Sequence, residues 1–134
     1  MEKEKLIEKI QVLLKNEEHV IFAYIFGSVA TGKNRNNSDV DIAVCFSPEL
    51  TKLERFDLRL KVTDQLALAL SSDVDLVDLS SAPLSLLHQI MRDGILIFER
   101  SKSARVAFEV SSRREYFDFA RHLDRRADAI ISRM

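Results

Sequence analysis

The sequence is sparing with residues that staple, punctuate or span. In 134 residues it has one cysteine, two prolines, three glycines and no tryptophan. The single Cys45 excludes a disulfide framework and any zinc site built on cysteines, and reads as a small buried hydrophobe at a strand end. So few glycines and prolines exclude collagen-like, low-complexity and long linker segments. No apolar run approaches the ~20 residues that cross a bilayer, so no membrane role is expected. The opening Met1-Glu-Lys-Glu-Lys lacks the apolar stretch of a signal peptide, which points to the cytoplasm. His19, His88 and His122 stand apart with no HExxH spacing, and no GxSxG elbow occurs. Histidine-ligated metal and serine-hydrolase chemistry are therefore set aside.

What is present is enough for one domain over residues 1–134. Hydrophobic residues make up 46% and charged residues 31%, so a soluble chain can bury a core. The net charge of −1 hides an asymmetry. Residues 1–99 carry 11 basic and 16 acidic side chains, while residues 100–134 carry 9 and 5. The overall balance gives nucleic acid no general attraction; the basic tail reads as a solvated helix face or a local docking patch.

Periodicity orders the elements. Leu6, Ile10, Leu13 and Leu14 recur at helical spacing within residues 3–16. Residues 20–26 (VIFAYIF) form an apolar run suited to a strand buried on both faces. Residues 27–38 (GSVATGKNRNNS) are small and polar, the chemistry of turns. Residues 39–45 (DVDIAVC) read as a second strand. A helix is expected over 51–71, with Leu53, Phe56, Leu60, Ala67 and Leu70 on its apolar face. A strand follows over 74–79, then a helix entered near Pro83 and stopped at Gly94. Residues 95–99 read as a fourth strand. Residues 103–134 read as helix, with Phe108, Tyr116, Phe119, Ala120, Leu123 and Ile130 as its apolar positions. The order α-β-β-α-β-α-β-α predicts an α+β fold: a small mixed sheet covered by helices, with a core over about 20–99 and a helical C-terminal tail.

Three features carry candidate chemistry. Asp39 and Asp41 alternate with Val40, Ile42 and Val44, which places both acids on one strand face with Cα atoms ~7 Å apart. Side-by-side carboxylates repel unless a cation neutralises them, and their oxygens are hard ligands of the kind Mg²⁺ prefers. Gly27-Ser28 follows the first strand directly. Glycine allows close backbone approach to a ligand, and a helical turn opening at Ser28 would aim N–H groups at an anion. The third feature is VDLVDL. Asp75 completes a three-carboxylate cluster if its strand lies beside that of Asp39, with Asp73 of the same parity as its competitor. Asp78 has the opposite parity and reads as surface or turn. The stretch GSVATGKN nearly spells a P-loop, but Asn34 replaces the required Ser/Thr and turn residues follow Lys33.

Taken together, GSVATGKNRNNSDVDIAV and the later acid resemble the minimal nucleotidyltransferases of the DNA polymerase β-like superfamily. Their signature is GS, a spacer of this length, DxD, and a third acid on a later strand. The resemblance covers residues 20–99. It implies a polymerase β-like fold, Asp39, Asp41 and Asp75 as catalytic and Mg²⁺-binding acids, ATP as substrate, and Gly27 and Ser28 on the triphosphate. Family members that carry Arg after GS differ from this chain, which has Val29; Lys33 or Arg35 is left to supply the cation. The tail SSRREYFDFARHLDRRADAIISRM resembles that of minimal nucleotidyltransferases paired with HEPN-domain RNase toxins. The HEPN pattern of Arg followed four to six residues later by His is absent. The resemblance thus implies an antitoxin that adenylylates a tyrosine of a cognate HEPN toxin and assembles with it. Two other readings stay open: neutralisation by binding alone, and transfer to a small molecule or nucleic acid.

Overall fold

A computed structural model describes residues 2–32 and 39–132. Among these the order is α1 (Lys3–Lys15), β1 (Val20–Phe26), α2 (Gly27–Thr31), β2 (Val40–Phe46), α3 (Lys52–Leu70), β3 (Val74–Asp78), α4 (Leu84–Asp93), β4 (Ile95–Glu99) and α5 (Lys102–Ser132). The expected elements appear within a few residues of their expected ends. One element was not in the expected order: residues 27–31, read as polar loop, wind into a helical turn, α2.

The strands form one sheet in the order β3-β2-β1-β4. β1 is antiparallel to both neighbours, and β2 and β3 run parallel. The sheet is therefore mixed, as its short α+β pattern predicted. β1 alternates apolar residues on both sides because both sides are covered. On one side Ala23 and Ile25 join Ile42, Val44, Leu76 and Ile97 beneath α1 and α3. On the other, Phe22, Tyr24 and Phe26 pack with Ala43, Leu87 and Ile90, and Phe108 of α5 rests against them. Each valine, leucine, isoleucine or phenylalanine among them, taken fully from water, contributes roughly 1.5–3 kcal/mol.

Helix ends are tied down by specific groups. Thr51 and Glu54 form a reciprocal capping box at the start of α3: Glu54 N–H donates to Thr51 Oγ1 and Thr51 N–H to Glu54 Oε1. At the end of α1, the Arg100 guanidinium donates to the carbonyls of Leu14, Lys15 and Glu17, and to that of Val20 in β1. The start of α5 is held by Tyr24, whose hydroxyl donates to Glu109, with Arg105 paired to both Glu109 and Glu99.

The structure keeps Leu70 on the buried face of α3 and corrects the first half of the expected stripe. Val62, Leu66 and Leu70 are its buried residues, whereas Leu53 is 70% exposed and Phe56 and Leu60 are each 48% exposed. The helix carries apolar residues on more than one side, and i, i+4, i+8 from Val62 is the stripe that meets the sheet. In α5, Phe108 is half-buried and Tyr116 stacks on His88, but Phe119 and Leu123 lie exposed. The side chain of Ile130 lies outside the described residues.

Candidate active site

β1 ends in Phe26, and the chain turns at once. Gly27 takes φ +69°, a left-handed conformation that favours glycine. Its missing side chain matters as much as its backbone. A Cβ built there would lie 2.2 Å from Asp41 Oδ2, 3.1 Å from its Cγ and 3.3 Å from its Cβ. The Gly27 backbone is therefore packed directly against the Asp41 carboxylate. Ser28 follows in the first turn of α2 and is half-buried. Gly32 closes this turn, again with positive φ, +75°.

The acids come together through register. Val40, Ile42 and Val44 point into the core beneath α1 and α3, so Asp39 and Asp41 share the opposite side. Asp41 lies beside Phe26 across the antiparallel pair and beside Asp75 across the parallel one. The strand of Asp75 is thus the immediate neighbour of the strand of Asp41. Asp73 lies one step before β3, where its backbone carbonyl accepts the Val40 N–H. Asp41 is half-buried, while Asp39 and Asp75 are exposed.

This crowding has an electrostatic signature. Burial pushes the Asp41 carboxyl above its ordinary value, and the negative charges of Asp75 and Asp39 push it further. Among the described residues no three His, Cys, Asp or Glu side chains already close around a single point. The donor set nonetheless fits a hard divalent cation: three carboxylates on adjacent strands of one sheet, two of which raise the cost of ionising the third, Asp41. A cation would reverse that cost.

The remaining candidates fall elsewhere. Lys33 and Arg35, the alternative triphosphate cations, lie outside the described residues. Asp78 is not a surface residue: its side chain is only 11% exposed and pairs with Arg55 at 3.1 Å. It also accepts the Ser80 N–H at 2.9 Å, which fixes the turn after β3. His19 sits between Glu18 and Glu49. Cys45 is half-buried, and burial with the nearby Asp78 charge pushes its thiol up to about 11.

Sequence reasoning passed over one feature that touches the site. A cleft of about 320 Å³ runs beside β3, walled by α3 and the start of α4, and Asp75 is among its lining residues. The sequence signal was the spacing of Lys52, Phe56 and Arg59 on one side of α3, which had been read as a core-facing stripe through Phe56.

Comparison with known proteins defines the class. Residues 8–103 match the family described as polymerase beta, nucleotidyltransferase, and the chain belongs to that family. Among curated proteins it is 42% identical over 85 residues to the protein adenylyltransferase MntA of Shewanella oneidensis, strain MR-1. That match covers 63% of this chain and 58% of the relative, so the chain spans less than two thirds of that protein's length. Among solved structures it resembles a chain of a toxin–antitoxin complex with AMP-PNP, at TM-score 0.70 and 33% identity, covering 94% of this chain and 95% of that one. It also resembles a chain of the tri-AMPylated Shewanella oneidensis HEPN toxin in complex with its MNT antitoxin, at TM-score 0.67 and 30% identity over 98% and 97% of the two chains.

Proposed function

We propose that this protein is an antitoxin that transfers AMP from ATP to a tyrosine of a cognate HEPN-domain toxin and so neutralises it. The observation that carries the reading is the placement of Asp41 against Gly27 on one side and Asp75 on the other. That arrangement joins the GS turn, the DxD pair and the third acid into one site. The matched family, the MntA relative and the AMP-PNP-bound toxin–antitoxin neighbour support the same reading.

The reaction is a displacement at the α-phosphorus. The acceptor phenol gives its proton to solvent, its oxygen forms a bond to the α-phosphorus, and the bond from that phosphorus to the α,β-bridging oxygen breaks. Pyrophosphate leaves with that electron pair. Asp39, Asp41 and Asp75 are the residues that would hold Mg²⁺, which supplies positive charge to the triphosphate and to the attacking oxygen. Asp75 is exposed on an edge strand of the sheet, open to a protein acceptor. Gly27 and Ser28 hold the triphosphate: the glycine by close backbone approach, the serine by its hydroxyl. Lys33 or Arg35 adds a cation. Catalysis is mostly positioning and charge neutralisation, as in other phosphoryl-type transfers. In α5, Phe119 and Leu123 are exposed apolar residues one turn apart, a surface suited to holding the toxin.

The test is label transfer from α-³²P-ATP and, separately, γ-³²P-ATP, with wild type and Asp41→Asn side by side in a lysate of the source cells. An α-labelled toxin band present only with wild type is expected. A band labelled only by the γ-phosphate would indicate a kinase and overturn the mechanism. Full labelling by Asp41→Asn would remove that acid from the site. Toxin neutralisation retained by the Asp39→Asn/Asp41→Asn protein, without labelling, would indicate inhibition by binding alone.

A further inference from the structure

β3 is the edge strand of the sheet, and the cleft of about 320 Å³ runs along it. Val40 N–H donates to the Asp73 carbonyl, and Leu79 N–H donates to the Val44 carbonyl. In a parallel ladder this alternation turns the odd residues of β3 toward β2. Val74, Leu76 and Asp78 then present their N–H and C=O groups to the outer edge. Among the described residues no strand pairs with that edge. α3 stands on one side of it and Leu86 of α4 on the other.

The cleft has a direction. Arg55, near the start of α3, is ion-paired to Asp78 at the end of β3. The helix start is thereby pinned beside the strand end, and Arg59 lies one turn closer to Asp75. From Lys52 to Arg59 is ~10 Å of helix axis, and from Asp75 to Asp78 is ~10 Å of strand. The wall of α3 therefore tracks the strand, with Asp75 at one end and Lys52 at the other. Arg55 and Asp78 neutralise each other, which leaves Lys52 and Arg59 as the cations of this wall. The Arg59 guanidinium lies 5.5 Å from the centre of the Phe56 ring, which is itself 48% exposed.

We propose that this cleft is the docking groove for the acceptor segment of the protein substrate. The segment adds to β3 in extended form and delivers its tyrosine to Asp75, with Lys52 and Arg59 selecting acidic residues beside that tyrosine and Phe56 and Leu86 holding an apolar one. Three observations converge on this occupant. The edge offers backbone pairing, the recurring means of binding extended peptides. The α3 wall carries positive charge where the site end is negative. The groove is also continuous with Asp75, where the acceptor oxygen must arrive. Because side chains of an added strand alternate faces every ~3.4 Å, a tyrosine on the Asp75 side puts the residues one and three positions away on the α3 side, opposite Arg59 and Lys52. This inference rests on the adenylyltransferase reading above.

The experiment uses the full chain with two tyrosine heptapeptides, one with three glutamates on each side of the tyrosine and one with three lysines. AMP transfer from α-³²P-ATP is measured for wild type and Lys52→Glu/Arg59→Glu, alongside transfer to the toxin. Wild type is expected to favour the glutamate peptide in kcat/KM by about tenfold or more, and the variant to lose that preference. The variant is also expected to show a raised KM for the toxin with an unchanged KM for ATP. Amide exchange at Leu76 should slow when the glutamate peptide is added. Equal use of the two peptides by wild type, or unchanged toxin kinetics in the variant, would overturn the groove. A wild type that labels neither peptide nor toxin would overturn the adenylyltransferase reading itself. Toxin labelled without either peptide being used would place acceptor recognition away from the cleft.

Discussion

Gly27→Ala separates backbone strain from site geometry, because Gly32 provides its control. Both glycines hold positive φ, +69° and +75°. An alanine at either position pays the left-handed penalty of ~1–2 kcal/mol. For a chain of this size that lowers the melting temperature by roughly 3–10 °C. The surroundings differ. A Cβ at Gly32 meets nothing within 4 Å, whereas one at Gly27 lies 2.2 Å from Asp41 Oδ2. Relief of that contact requires Asp41 to move by ~1 Å, and a misplacement of that size costs about a hundredfold in rate. Initial rates of AMP transfer at saturating Mg²⁺ and ATP, with melting curves on the same samples, separate the two effects. Transfer should fall about a hundredfold in Gly27→Ala and less than threefold in Gly32→Ala, with similar losses of melting temperature. A Gly27→Ala protein within threefold of wild type would refute the reasoning, as would an equal loss in Gly32→Ala.

Two further outcomes follow from the charges. Asp41 has a raised carboxyl pKa in the fold, so protonation of this group favours folding. That contribution is complete below the unfolded acid's range and is lost as pH rises through the raised value. At neutral pH without metal the ionised cluster is then a cost, on the order of 1 kcal/mol for like charges ~7 Å apart under partial solvent screening. Asp41→Asn should therefore melt no lower than wild type in EDTA at pH 7, lose transfer by about a thousandfold, and gain less melting temperature from added Mg²⁺. A lower melting point in EDTA would contradict the repulsion. At the far end of the cleft, Arg55→Ala leaves Asp78 without its cation and should cost about 2–3 kcal/mol in chemical denaturation. The Arg55→Ala/Asp78→Ala double variant should cost less than the sum of the two single changes, and simple additivity would mean that the pair is not coupled.

The sequence was most informative where chemistry and local periodicity coincide. VIFAYIF followed by Gly-Ser, then Asp-Val-Asp alternating with a β-branched run, marked two strands and the side that carries acid. The neighbourhood of Asp75 was not legible in the same way. Its place beside Asp41 depends on a parallel pairing across α3, and strand adjacency over that separation is a property of the assembled sheet. The face of α3 misled for a related reason. Leu53, Phe56 and Leu60 make a convincing stripe on paper, but the sheet accepts only one side of the helix, and Val62, Leu66 and Leu70 occupy it. The hold of Glu109 on Tyr24 joins residues 85 positions apart, beyond the reach of any local pattern.

That strand order also bears on synthesis. All three carboxylates have been made by residue 75, yet β1, whose end supports Gly27, has only one neighbour until β4 is added at Ile95–Glu99. Its other edge is a row of unpaired backbone groups on an apolar strand, the kind that recruits foreign strands. The latch on Tyr24 comes later still, with Glu109. At ~5–20 residues per second, the ribosome holds a nascent chain with its acids in place and its central strand open for seconds. A chain terminated before residue 95 would carry all three carboxylates and still leave that edge of β1 open, so closure of the sheet waits for β4.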